Sequence, residues 1–307
     1  MIASLAILFA IGCKKDAPVP VEEGCYSFGV STSPLGFQYS YPQYLYREPV
    51  FNPQNSDEII YVREDKLNQS STELRKRRIS SGTDVPLVSD VWGIPDWHTN
   101  GWILLRRTDN QIWKIKSDGD SLTQLTFAGI NIGPRWNSTG DKFVYASGNQ
   151  TIVASSVGTP IDTISDFFMY YGDWSPDDTK LCSVVNTHNG EGLGSYDLTS
   201  GVTSIVATVP EGEFIGQAGW QSSQTIYWVT RKGFYKTDIS TLVTIRIRPS
   251  CDSRYWWSFQ FSGDGQKMIW ERADSRLSGS DLNTIFQENK LFLLNVDGSG
   301  ETPIDLP

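Results

Sequence analysis

The chain has 307 residues, 39 % of them hydrophobic and 20 % charged, enough apolar content for a large core and too little charge for a disordered chain. Its net charge of −9 and pI of about 4.8 argue against a nucleic-acid partner, which would call for a basic stripe. Eleven Trp, thirteen Tyr and fourteen Phe favour strands over helices.

The chain opens on an apolar run, residues 1–12, which carries no charged side chain and is too short to cross a bilayer as a helix. It reads as a signal peptide. Ala10-Ile11-Gly12-Cys13 resembles the bacterial lipobox, in which a small residue precedes a cleaved and lipidated Cys, although Ala10 stands where Leu is usual. The resemblance implies lipidation at Cys13, an outer-membrane lipoprotein facing the periplasm or the cell surface, and membrane contact through the lipid alone. Residues 13–24, with Pro18 and Pro20 and no large aromatic, read as an extended tether. Residues 25–46 are aromatic and Pro-rich and read as a lead-in packed on the body.

From residue 47 to 307 one pattern returns six times: an aromatic, a turn of small and polar residues, and a short apolar strand. The lead aromatics are Phe51, Trp97, Trp136, Trp174, Trp220 and Phe261, spaced by 46, 39, 38, 46 and 41 residues. That spacing is the length of one four-stranded propeller blade. Ser175-Pro176-Asp177-Asp178 and Ser262-Gly263-Asp264-Gly265 carry the residues that a tight antiparallel turn requires. A second turn recurs later in the unit, as in Asp118-Gly119 and Asp297-Gly298. The expected fold is therefore all-β, a six-bladed β-propeller with four-stranded antiparallel blades, each lead aromatic wedged between neighbours. The basic run Arg75-Lys76-Arg77-Arg78 reads as a solvated strand face.

These turns resemble the repeat of the TolB-like propellers, with its Trp/Phe-Ser-Pro-Asp-Gly turn and its later Asp-Gly turn. The resemblance covers residues 47–307, is clearest in blades four and six, and weakens in blade five, where Ser222-Ser223 stands for Pro-Asp. It implies a fold and, by analogy with TolB, an interaction role in the envelope.

In such a ring the connections between blades and between second and third strands share one face, here called upper. Those segments carry Asp90-Val91-Trp92, Phe167 to Tyr171, Asn186 to Asn189 with His188, and Ser253 to Trp257. The stretch from Glu271 to Asn289 reads as the longest loop, with Arg272, Asp274, Arg276, Asp281 and Phe286. Trp92, Tyr170, Tyr255, Trp256, Arg272 and Arg276 are the expected ligand-binding residues, because flat apolar faces with oriented polar groups suit a peptide or a sugar.

Catalysis is hard to assemble. There are two His, of which His98 falls in a lower turn and His188 in an upper loop, and no Gly-x-Ser-x-Gly elbow. No metal or cofactor is expected. The leading reading is a non-catalytic, monomeric envelope lipoprotein that binds a protein, the alternative a glycan-binding one. A carboxylate-based carbohydrate enzyme is a third, since Asp and Glu number 35. Cys25 and Cys251 are expected to pair in an oxidising compartment, Cys251 lying in an upper loop within reach of the lead-in, with Cys182 a buried thiol.

Overall fold

The computed structural model describes residues 25–187, 190–209, 213–278 and 283–307. The expected signal peptide, the lipidation site Cys13, the tether, His188, Asn189 and Asp281 lie outside the described residues.

The lead-in forms one short strand, β1 (Gln38–Ser40). Blade one is β2 (Tyr44–Asn52), β3 (Asn55–Asp65), β4 (Ser71–Arg78) and β5 (Asp84–Ser89). Blade two is β6 (Asp96–Trp97), β7 (Trp102–Arg106), β8 (Ile112–Lys116) and β9 (Thr123–Gln124). Blade three is β10 (Asn131–Trp136), β11 (Lys142–Ser147), β12 (Gln150–Ser155) and β13 (Pro160–Ile164). Blade four is β14 (Asp173–Trp174), β15 (Lys180–Thr187), β16 (Gly190–Asp197) and β17 (Val202–Thr208). Blade five is β18 (Ile215–Ser222), β19 (Thr225–Thr230), β20 (Gly233–Asp238) and β21 (Val243–Pro249). Blade six is β22 (Arg254–Phe261), β23 (Lys267–Ser278), β24 (Thr284–Asn295) and β25 (Thr302–Pro303). Each blade pairs its strands antiparallel in chain order, so the architecture is an all-β six-bladed propeller.

Strand alternation builds it. Successive side chains of a strand face opposite sides of the sheet, and both sides are apolar here. Ile60 and Val62 of β3 pack toward blade two, while Ile59 and Tyr61 pack toward blade six. In β19, Ile226 and Trp228 join blade four, and Tyr227 and Val229 join blade six. Six apolar clusters result, one at each junction between blades. The lead aromatics sit in or beside these seams: Phe51, Trp97, Trp136, Trp174 and Trp220 are buried, and Phe261 is partly buried. Burying one such ring contributes on the order of 2–3 kcal/mol.

The turn repeat has a common hydrogen-bond pattern. Ser175 Oγ accepts the Lys180 N–H at 2.9 Å, Ser262 Oγ the Lys267 N–H at 3.0 Å, and Asn137 Oδ1 the Lys142 N–H at 3.0 Å. In blades four and six the Ser hydroxyl donates to Asp177 and Asp264, both at 2.6 Å.

The four antiparallel strands of each blade are consecutive in the chain, and the N-terminal β1 joins the blade-six sheet as a fifth strand. Blade one begins with β2 and blade six ends with β25. Closure rests on packing of Phe51, Ile59 and Tyr61 against Ile269, Leu291 and Ile304, and on a close approach of Gly263 to Pro53. The lead-in adds to it: β1 pairs parallel with β24, and a disulfide joins Cys25 to Cys251 with Cα atoms 5.9 Å apart. Cys182 is a buried free thiol.

Two expectations change. The stretch from Glu271 to Asn289 is no loop but the body of the β23–β24 hairpin, paired in continuous register from Lys267↔Asn295 to Ser278↔Thr284. Its alternating polar residues are strand residues that rise above the ring. The run Arg75–Arg78 is not a solvated face either. Arg75 and Arg77 are largely buried against Asp84 of β5, at 2.5 and 3.6 Å, and Lys76 donates to the Ser117 carbonyl at 2.5 Å. Only Arg78 is exposed: Asp84, which also accepts the Tyr61 hydroxyl, holds Arg75 and Arg77 on the Tyr61 side of the sheet, and Lys76 on the opposite side reaches blade two.

Candidate functional site

The first strand of every blade lines the axis, so the segment entering that strand lies at the upper mouth. Around this mouth the structure holds a cavity of about 650 Å³. Its rim is aromatic and comes from separate parts of the chain. Trp92 precedes blade two, Tyr170 and Tyr171 precede blade four, Phe214 precedes blade five, Trp257 lies in β22, and Tyr39 and Tyr41 come from the lead-in. Trp92 is 43 % exposed, Tyr170 38 %, Trp257 40 % and Phe214 68 %. Rings of this size left half open in a well-packed protein mark a surface built for contact.

Of the residues expected at a site, Trp92, Tyr170, Tyr255 and Trp256 line this cavity. Tyr255 is 8 % and Trp256 3 % exposed, so both serve as wall. Trp256 stacks on Trp270 at 4.1 Å, and Tyr255 donates to Gln287 at 3.3 Å. Arg272 and Arg276 do not line it. Arg272 turns outward, bridges Asp274 at 2.8 Å and Glu301 at 2.7 Å, and covers the Phe292 ring. Arg276 stands near the hairpin tip, over Phe286 and 4.0 Å from Glu288.

The floor was not anticipated. It is made of Arg47, Glu48, Glu64 and Glu271. Glu64 pairs with Arg47 at 3.0 Å and with Lys66 at 2.8 Å. Glu271 accepts the Ser258 hydroxyl at 3.1 Å, the Glu48 N–H at 3.0 Å and the Asn289 amide. Burial raises the Glu271 carboxyl, and Arg47 and those donors oppose the rise. Glu48 sits in a β-bulge of β2, between the pairs Arg47↔Val62 and Val50↔Ile60, with φ of 54°. Left-handed backbone at a residue other than Gly costs about 1 kcal/mol or more and concentrates at functional sites. Burial first, and the neighbouring Glu271 second, push the Glu48 carboxyl up to about 8.

Below the floor the channel narrows to a pocket of about 40 Å³ beside Asp96, Arg135, Asp173, Gln217 and Gln260. These groups stitch one blade to the next. Asp96 accepts the Trp136 N–H at 2.6 Å, Gln260 the Phe51 N–H at 2.6 Å and Gln217 the Phe259 N–H at 2.9 Å. Burial raises Asp173 to about 7, with Arg135 opposing and Asp96 adding to the rise. His98 lies away from the cavity, its Nε2 3.0 Å from the Ser138 carbonyl of the next blade.

Sequence reading missed Tyr39, Tyr41, Phe214, Arg231 and the whole acidic floor. Phe214 had a usable signal, because it occupies the same between-blade position as Trp92 and Tyr170. Glu48 had none, since nothing local announces the bulge that turns it inward.

No family model and no curated protein matches this chain. Solved structures do match. TolB from Acinetobacter baumannii superposes with a TM-score of 0.56 at 18 % identity, over 67 % of this chain and 54 % of that one. A putative TolB from Agrobacterium tumefaciens gives 0.59 at 17 %, over 74 % and 86 %. The fold is a TolB-like propeller. Its spread is wide: the β-propeller domain of the Trilobed protease from Pyrococcus furiosus, described as having an open velcro topology, gives 0.54 at 11 % identity over 86 % and 98 %. At these identities the likeness concerns the fold, and this chain matches about half the length of the Acinetobacter protein.

Proposed function

We propose that this TolB-like propeller is a non-catalytic envelope lipoprotein that holds a segment of a partner protein in its upper funnel. One observation carries the reading: half-exposed aromatics from three between-blade positions, from β22 and from the lead-in surround one open cavity of about 650 Å³. Large rigid aromatics give contact area at small entropic cost, and charged groups at the floor fix the orientation of what enters. The propeller neighbours include peptidases as well as TolB proteins. The non-catalytic reading is supported by the preoccupation of the floor carboxylates: Glu64 and Glu271 are held by cations and donors of the fold itself. Lipid anchoring rests on the Ala10 to Cys13 sequence, with the body tethered through residues 13–24.

The test is capture from a detergent-treated envelope extract by the purified protein, against the Trp92→Ala/Trp257→Ala variant. A hot-spot ring contributes about 2 kcal/mol or more, so the double variant should lose the partner almost completely. Equal capture by both proteins sinks the funnel reading. Binding to an array of glycans that depends on the same two rings moves the ligand to a sugar, and product release from those glycans moves the protein to the enzymes. Cys13→Ala should shift the protein out of the membrane fraction; persistence there refutes the anchor.

A further inference from the structure

Glu48 differs from the other floor carboxylates in what it lacks. Its Oε2 is buried and accepts no hydrogen bond among the described residues; Glu64 Oε2 is likewise without a hydrogen bond but pairs with Arg47 at 3.0 Å, whereas Glu48 lines the cavity with no ion pair among the described residues. The lining holds three carboxylates, Glu48, Glu64 and Glu271, and two guanidiniums. Arg47 is committed to Glu64, and Arg231 lies at the rim over the Tyr255 ring, 5.4 Å from its centroid. Lys66 adds a second cation on Glu64, and Glu271 is held by Ser258, Asn289 and the Glu48 N–H, so Glu48 is the lining carboxylate with neither an ion pair nor a side-chain hydrogen bond among the described residues. The same cavity is lined by Trp92, Tyr170, Tyr171, Trp256 and Trp257, rings whose quadrupoles attract cations.

We propose that Glu48 is the counter-ion for the primary ammonium of a lysine side chain, presented by an extended segment of the partner. This deepens the funnel reading and rests on it. An ammonium fits better than a guanidinium. It is a compact charge that one carboxylate oxygen can hold, whereas a guanidinium seeks a planar two-oxygen acceptor. The apolar lysine stem would lie along the rim rings while its head reaches the floor. The bulge at Glu48 aims the side chain inward at the cost of left-handed backbone, which Gly would adopt freely.

The assignment predicts proton linkage. The groups facing Glu48 are Glu271 of β23, Arg47 of its own strand, Arg135 of β10 and Glu64 of β3, with Arg106 and Tyr171 on the blade-two and blade-four side. With its carboxyl raised to about 8, Glu48 carries a proton at pH 7 in the empty protein. The entering ammonium keeps its own proton, and the carboxyl proton leaves to solvent. Affinity should rise about tenfold per pH unit from pH 6 toward 8 and then level off.

The experiment is calorimetric titration of the purified protein with acetyl-Gly-Gly-Lys-Gly-Gly-amide and with its Nε-acetyl-lysine counterpart, at pH 7 in two buffers of different ionisation enthalpy. The lysine peptide should bind with release of close to one proton, and the acetylated peptide at least tenfold more weakly. Glu48→Gln, shown by its melting curve to be folded, should lose both the proton release and at least tenfold in affinity. No binding of the lysine peptide, equal binding of the acetylated one, or binding by wild type without proton release overturns the proposal; these wild-type readouts stand even if the variant misfolds. Partner capture that survives Glu48→Gln but fails in Trp92→Ala/Trp257→Ala overturns the ammonium assignment and leaves the funnel reading intact.

Discussion

Replacing Cys25 and Cys251 by Ser opens the one covalent link between the lead-in and blade six. The bond spans 226 residues. In the chain-entropy account, closing a loop of that length restricts the unfolded chain by on the order of 5 kcal/mol. The native side changes little, because the lead-in keeps its β1–β24 pairing and the Tyr26–Ser253 hydrogen bonds at 2.9 and 3.1 Å. Allowing for the common shortfall of this account, the double variant should lose about 3–5 kcal/mol, a fall of roughly 5–10 °C in Tm for a domain of this size. Equilibrium urea unfolding of the oxidised wild type and the double Ser variant measures it, with near-UV circular dichroism to show that aromatic packing is kept. A loss under about 1 kcal/mol with unchanged native spectra would falsify the loop-closure reasoning and place the burden of ring closure on the blade-one/blade-six seam.

That seam has its own test. A Cβ at Gly263 would lie 2.0 Å from the Pro53 carbonyl oxygen, so Gly263→Ala should cost about 1–3 kcal/mol, while Gly219→Ala, whose nearest atom would be 3.7 Å away, should be nearly neutral in the same melting experiment. The buried carboxyls set a pH dependence. Asp173 and Glu48 are raised to about 7 and 8 when folded, above their values in the unfolded chain. The folded state therefore binds more protons than the unfolded one across that window, and their contribution is full below about pH 4 and lost as pH rises through 7 and 8. Asp173→Asn should flatten the fall in stability between pH 5 and 7, read from urea midpoints; an unchanged slope refutes the assignment.

The propeller was legible because its information is local and repeated. An aromatic, a tight turn and an alternating strand recur at Trp136, Trp174 and Phe261 with the same hydrogen bonds, and two apolar faces per strand leave no stable arrangement but stacking in a ring. The placement of Trp92 and Tyr170 at the mouth followed from strand direction alone. What the sequence could not assign is which face of a strand a polar residue takes. Glu271 reaches the cavity and Arg272, one residue on, does not, because a single step along a strand reverses the side chain. The β23–β24 hairpin passed for a loop because its buried face is largely polar: Glu271, Ser275, Gln287 and Asn289 are buried there, so burial alternates along the strands without apolar alternation. The floor itself is a tertiary construction. Glu48 and Glu271 are separated by 223 residues, and they meet only because the ring brings its first and last blades together around one axis.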